Sequence, residues 1–141
     1  MNTELMRGWR GYVAEQHPWR VEMSSFYGSR RCVVGMLREY VDIIEYGRLR
    51  HSCVDIPSLA NWLRVPAHHL QIAALPGNFT NERLTTSYID MHYSQKSRQK
   101  LVLAMLDGWI ETGAPDWMAA LERSGVKPGI DITENVEFDL G

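Results

Sequence analysis

Long hydrophobic runs are missing from this chain. No stretch approaches the roughly 20 apolar residues that a bilayer-spanning helix needs, and the opening MNTELMRGWR has no apolar core of the kind a secretory leader carries. A cytoplasmic protein without a membrane partner is the expectation. Cysteine is scarce too: Cys32 and Cys53 are the 2 thiols in 141 residues, too few for a disulfide framework and suited to a reducing compartment, so buried free thiols are expected. Catalytic signatures are also absent. There is no Walker loop, GxSxG elbow or HExxH, and no carboxylate pair at a spacing that suggests acid and base roles. The chain reads as a non-enzyme with no cofactor. His51, Cys53, His68 and His69 have zinc-ligand chemistry, but their spacing matches no common finger and adjacent histidines diverge on a helix, so no metal site is assigned.

What is present suits a single folded domain. With 45% hydrophobic and 23% charged residues, 141 residues can bury one sizeable core. The net charge of −2 conceals a segregation: residues 1–100 carry 13 Lys or Arg against 9 Asp or Glu, and residues 101–141 carry 2 against 8. Such a split directs the first part toward an anionic partner and the last toward a basic one, unless folding brings the two together.

Periodicity and punctuation outline the elements. Leu5, Trp9, Tyr12 and Val13 form a helical stripe over 3–16, weakened by Gly8 and Gly11. Pro18 suits the first turn of a second helix carrying Trp19, Met23, Phe26 and Tyr27 up to Gly28, although the alternation of Trp19, Val21 and Met23 also allows a strand. SRRCVVGMLREYVDIIEYG is the clearest helix, with Ser29 as its start, Gly47 as its stop and a seam of Val33, Leu37, Tyr40, Val41 and Ile44. Pro76, Gly77 and Asn78 mark a loop, and the β-branched and aromatic residues of LTTSYIDMHY predict an extended segment. Leu101, Val102, Met105, Trp109 and Ile110 predict a helix over 95–112, followed by a short one after Pro115 that stops at Gly125. The fold class is mainly α: a single helical domain over residues 1–130, with room for a minor β pair, and an extended acidic tail over 131–141. The tail alternates Val136, Phe138 and Leu140 with Glu137 and Asp139, as an edge strand or a partner-ordered arm would. The five tryptophans read mostly as core. Trp62 is set to pack on Tyr40 or Trp109.

Residues 56–75, IPSLANWLRVPAHHLQIAAL, carry an ordered pattern. Leu59, Ala60 and Leu63 line one short helix, Val65 lies in a turn, and Leu70 and Ala73 line a second helix that can start on Pro66. A small residue at Ala60 lets two backbones cross closely, and the apolar residues on either side lock a steep crossing angle. This order of residue types resembles the helix-turn-helix motif of DNA-binding proteins over about 20 residues. The motif's turn position, commonly Gly because it adopts positive φ, is Arg64 here, at a cost on the order of 1 kcal/mol. The resemblance implies that the second helix presents Ala67, His68, Gln71 and Ile72 outward, with Gln71 able to pair with adenine. That helix has no Lys or Arg, so phosphate contacts fall to Arg48, Arg50, Arg64, Arg83 or the run SQKSRQK with Lys96, Arg98 and Lys100. The same pattern also suits an ordinary helical hairpin in an α core.

Two functions follow as expectations. One is a small transcription regulator binding double-stranded DNA, expected as a homodimer because one short helix reads few bases. The alternative is a protein-binding inhibitor, phage-encoded or of the immunity type, that covers a basic protein partner with its acidic C-terminal part.

Overall fold

The computed structural model describes residues 1–25, 28–50, 55–78 and 84–129, and within them most helices begin at side-chain caps and several end at glycines. Helix α1 (Thr3–Glu15) starts where Asn2 Oδ1 accepts from the Leu5 amide at 3.2 Å. Helix α2 (Val33–Tyr46) is capped by Cys32, whose buried Sγ accepts from the Gly35 amide at 3.5 Å, and stops at Gly47 with φ 72°. Helices α3 (Ile56–Leu63) and α4 (Ala67–Ala74) form the hairpin. Helix α5 (Thr86–His92) is capped by Thr85, α6 (Gln95–Thr112) by Ser94, and α7 (Trp117–Ser124) by Asp116. Each of these caps accepts from an amide three residues on, as short polar side chains do at helix starts. Gly113 and Gly125 close α6 and α7 in the left-handed conformation.

The architecture is mainly α, as the sequence leads one to expect, with α6 packed most extensively on α7 and α1, and α2 on α1 and α4. Trp9, Trp109 and Trp117 are fully buried. Trp9 meets Trp109 edge to face at 5.8 Å and donates Nε1 to the Val33 carbonyl at 3.1 Å. Gly8 lets α1 close on α2, since a Cβ there would stand 1.8 Å from the Tyr40 hydroxyl. A buried carboxylate ties the same pair of helices: Glu39 accepts from Tyr12 Oη at 2.8 Å and pairs with Arg20 at 2.6 Å and Arg31 at 2.9 Å. Burial and then the bond to Glu39 push the Tyr12 phenol up to about 12. No helix among the described residues is long and apolar enough to cross a membrane.

Three expectations change. Where a second helix or a strand was open after Pro18, the described residues show a 3-10 turn at Pro18–Arg20, after which Val21 runs extended and bridges Arg31. The reason is tertiary: the Asp90 carboxylate takes the Met23 and Ser24 amides at 2.7 and 2.9 Å, so these amides are not spent on a helix. Residues 28–32 are held by the same bridge, with the Arg31 amide on the Arg20 carbonyl at 2.7 Å, which delays α2 from Ser29 to Val33. The predicted extended segment at LTTSYIDMHY is helix α5, nucleated by the Thr85 cap and anchored by buried Ile89. Only isolated bridges, Val21 with Arg31 and Tyr93 with Gly129, occupy the place of the minor β pair among the described residues. The acidic tail at 131–141 lies outside the described residues, as do Phe26, Tyr27, His51, Cys53 and Arg83.

Candidate nucleic-acid interface

The hairpin is built from its caps inward. Asp55 Oδ1 accepts from the Ser58 amide at 2.8 Å, and hydrogen bonds from Ser58 hold the Asp55 carboxyl below its ordinary value. Leu59, Ala60 and Leu63 of α3 are buried against Leu70 and Ala73 of α4; Ala60 is 3% exposed at the crossing. Between the helices, Arg64 takes φ 57° and ψ 48° and is the one non-glycine residue with positive φ among the described residues. That conformation turns the Val65 amide back onto the Ala60 carbonyl at 3.0 Å and closes α3. Pro66 stands as the extended cap of α4, where its missing amide costs nothing.

Neighbouring helices clamp the pair. Trp117 Nε1 donates to the Ile72 carbonyl at 2.7 Å, and His69 lies edge-on to Trp109 at 5.9 Å. The Asn2 amide donates to the Leu63 carbonyl at 2.7 Å. Desolvation, and then the neighbouring His68, keep the half-buried His69 imidazole below its ordinary pKa. Trp62 packs edge-on to Tyr40 at 6.1 Å and is half-buried, with Nε1 on Glu45 at 3.2 Å.

On the outer side of α4, His68 and Gln71 are exposed, and Ala67 and Ile72 are half-buried beside them. Arg64 is exposed at the turn, so these five residues named from the sequence sit together. The run with Lys96, Arg98 and Lys100 does not join them. Arg98 is a correction: at 5% exposure it is a core residue, donating Nε to the Val21 carbonyl at 2.9 Å and a terminal nitrogen to the Tyr93 carbonyl at 3.0 Å. It is therefore withdrawn as a phosphate contact. Lys96 and Lys100 are exposed on α6, but α4 touches α6 at Trp109, roughly 14 to 20 Å further along the axis at about 1.5 Å per residue.

A charged groove of about 320 Å³ has no signature in the sequence because its cations come from two distant helices, Arg7 and Arg10 from α1 and Arg123 from α7. Arg10 pairs with Asp107 at 3.0 Å and Arg123 with Glu111, so most of its charge is already compensated. Asp107 and Glu111 lie on the side of α6 turned about 160° from Trp109 at 100° per residue, away from the hairpin contact. Among the described residues there is no cluster of three or more His, Cys, Asp or Glu that would hold a metal ion.

Comparison with known proteins finds no matching family model, no matching curated relative and no matching solved structure, so the residues themselves carry the functional reading.

Proposed function

We propose that the protein is a small, non-enzymatic DNA-binding regulator that reads duplex DNA with α4. The observation that carries this is the left-handed turn at Arg64, over a crossing closed at Ala60, which leaves His68 and Gln71 open to solvent. Gln71 offers the paired donor and acceptor that adenine presents in the major groove, His68 a second hydrogen-bonding tip, and Ala67 and Ile72 apolar contact for thymine methyl groups. Arg64 at the turn is the cation placed to meet a phosphate beside that helix. Since so few charges lie near α4, the reading implies modest affinity and a shallow dependence on salt.

The test is a fluorescence-anisotropy titration of random and A·T-rich duplexes at low ionic strength. Binding that weakens with salt, together with loss of the A·T preference in Gln71→Ala at an expected cost of about 1 to 3 kcal/mol, supports the reading. No binding at micromolar protein in low salt sinks it.

A further inference from the structure

Helices α6 and α7 leave an open cleft of about 380 Å³ between them, and it runs into the charged groove beside α1, because Glu111 and Arg123 line both. The cleft is walled by small apolar residues, with Ala104 and Gly108 from one stripe of α6 and Ala119 and Ala120 from α7. Outside its own helix, the one described atom within 4 Å of a Cβ built at Gly108 is Arg123 Nη1, at 3.7 Å. The Arg123 guanidinium therefore lies at the seam where the two recesses meet. On the groove side, three guanidiniums face the two carboxylates of Asp107 and Glu111, which leaves one positive charge over. Arg7 is that surplus: it is exposed, and its guanidinium has no partner among the described residues. Arg10 spends Nε and Nη2 on Asp107 and Arg123 spends Nη2 on Glu111, so both keep donors to spare. Asp116, the carboxylate at the far end of the cleft, is bonded to the Ala119 amide at 3.0 Å and stands about 10 Å along α7 from Arg123.

We infer that the joined recess binds a small amphipathic carboxylic acid, with its carboxylate over Arg7 and the spare nitrogens of Arg10 and Arg123 and a short apolar body along Ala104, Gly108 and Ala119. Cations gathered at one edge of an apolar recess fix the orientation of such a ligand, and each part answers a different part of the wall. A bare inorganic anion would leave the small apolar residues in water, and a neutral apolar molecule would leave the Arg7 charge unanswered. The carboxylate also matches the planar fork of a guanidinium, which takes two oxygens at once. The existing ion pairs do not close the site. Their side chains are 38% to 63% exposed, and pairs so open to solvent are weakly held, so an incoming carboxylate shares Arg10 and Arg123 with Asp107 and Glu111. This inference does not rest on DNA binding, because the groove lies on the side of α6 turned away from the hairpin.

The measurement is a titration of the full chain with sodium octanoate, followed residue by residue in two-dimensional amide NMR spectra. Shifts at Gly108, Ala119 and Arg123 that saturate with a dissociation constant of about 1 mM are expected for an acid of this size. Sodium acetate, the head alone, and octanol, the body alone, should each bind at least about tenfold more weakly. Arg7→Glu is expected to weaken octanoate binding by about tenfold, and Arg7→Lys, which keeps the charge, to stay within about threefold of the parent. Since Arg7 is exposed and bonded to no described side chain, neither change threatens the fold. Gly108→Leu fills the apolar part of the recess against the tip of Arg123 alone and should also weaken binding by about tenfold, with a melting curve to confirm that the variant is folded. The absence of saturable shifts at these cleft residues up to about 10 mM octanoate overturns the inference. So do acetate or octanol binding as tightly as octanoate, and affinity indifferent to both Arg7→Glu and Gly108→Leu.

Discussion

The two ends of α6 treat polar side chains in opposite ways. Near Trp109 the α3–α4 hairpin turns apolar residues inward and leaves His68 and Gln71 in water; at the other end, a run rich in Lys, Arg, Ser and Gln turns Arg98 into the core and leaves Lys96 and Lys100 outside. In the hairpin, inward and outward follow from helical spacing alone. In the run they do not, because the burial of Arg98 depends on the carbonyls of Val21 and Tyr93 that meet it. Charge type indicates a solvated face only where no distant backbone is waiting for a donor.

That contrast is broken most forcefully at Arg98. Arg98→Met leaves the Val21 and Tyr93 carbonyls without this donor and the nearby Asp90 carboxylate, 3.8 Å away, without its cation. A loss of about 3 kcal/mol in urea unfolding is expected. Lys100→Gln, two residues on and exposed, should stay within about 0.5 kcal/mol of the parent. Equal effects from the two substitutions would mean that Arg98 is not a core residue.

The same distinction decides how much was legible in advance. The hairpin could be read because its locks, from Leu59 to Ala73, lie within one short stretch, and the positive φ at Arg64 falls at the turn position between its two helices. The stops at Gly47, Gly113 and Gly125 were equally local, since a glycine after an apolar stripe reports its own left-handed conformation. Helix α5 was misread because Thr85, Thr86 and Ile89 favour extended backbone when taken singly, while Thr85 as a cap and Ile89 as an anchor favour helix once packed. The helix reading after Pro18 fails at Met23 and Ser24 because Asp90, some 66 residues away, takes their amides. The groove that joins Arg7 and Arg10 of α1 to Arg123 of α7 had no local signature, because more than 100 residues separate the two helices' arginines.

A smaller effect of mixed sign sharpens the hairpin side. Arg64 holds a conformation that glycine adopts freely, so Arg64→Gly is expected to raise stability by about 0.5 to 1 kcal/mol, or a few degrees in Tm. On the proposed reading it also removes a phosphate contact and lowers the slope of log affinity against log salt by about 1. The two readouts separate backbone relief from charge loss. A variant that melts lower than the parent would show that the Arg64 side chain stabilises the turn by more than its φ costs.

The smallest effect is a pH dependence, and it sets His69 against its neighbour. His69 packs edge-on against Trp109 while His68 stands in water, and burial followed by the His68 charge lowers the His69 pKa from the ordinary 6.5. A histidine whose folded pKa is depressed is neutral in the fold when the unfolded chain already binds a proton. Its contribution is therefore complete above the ordinary value and is lost as pH falls through the folded value. The urea midpoint should drop between pH 7.5 and 5.5 in the parent, and His69→Gln should remove part of that drop. His68→Gln, by deleting the lesser cause alone, should remove less of it. If the two variants flatten the profile equally, the protonation that matters occurs on the exposed side of α4, and the inward packing of His69 against Trp109 is not what depresses its pKa.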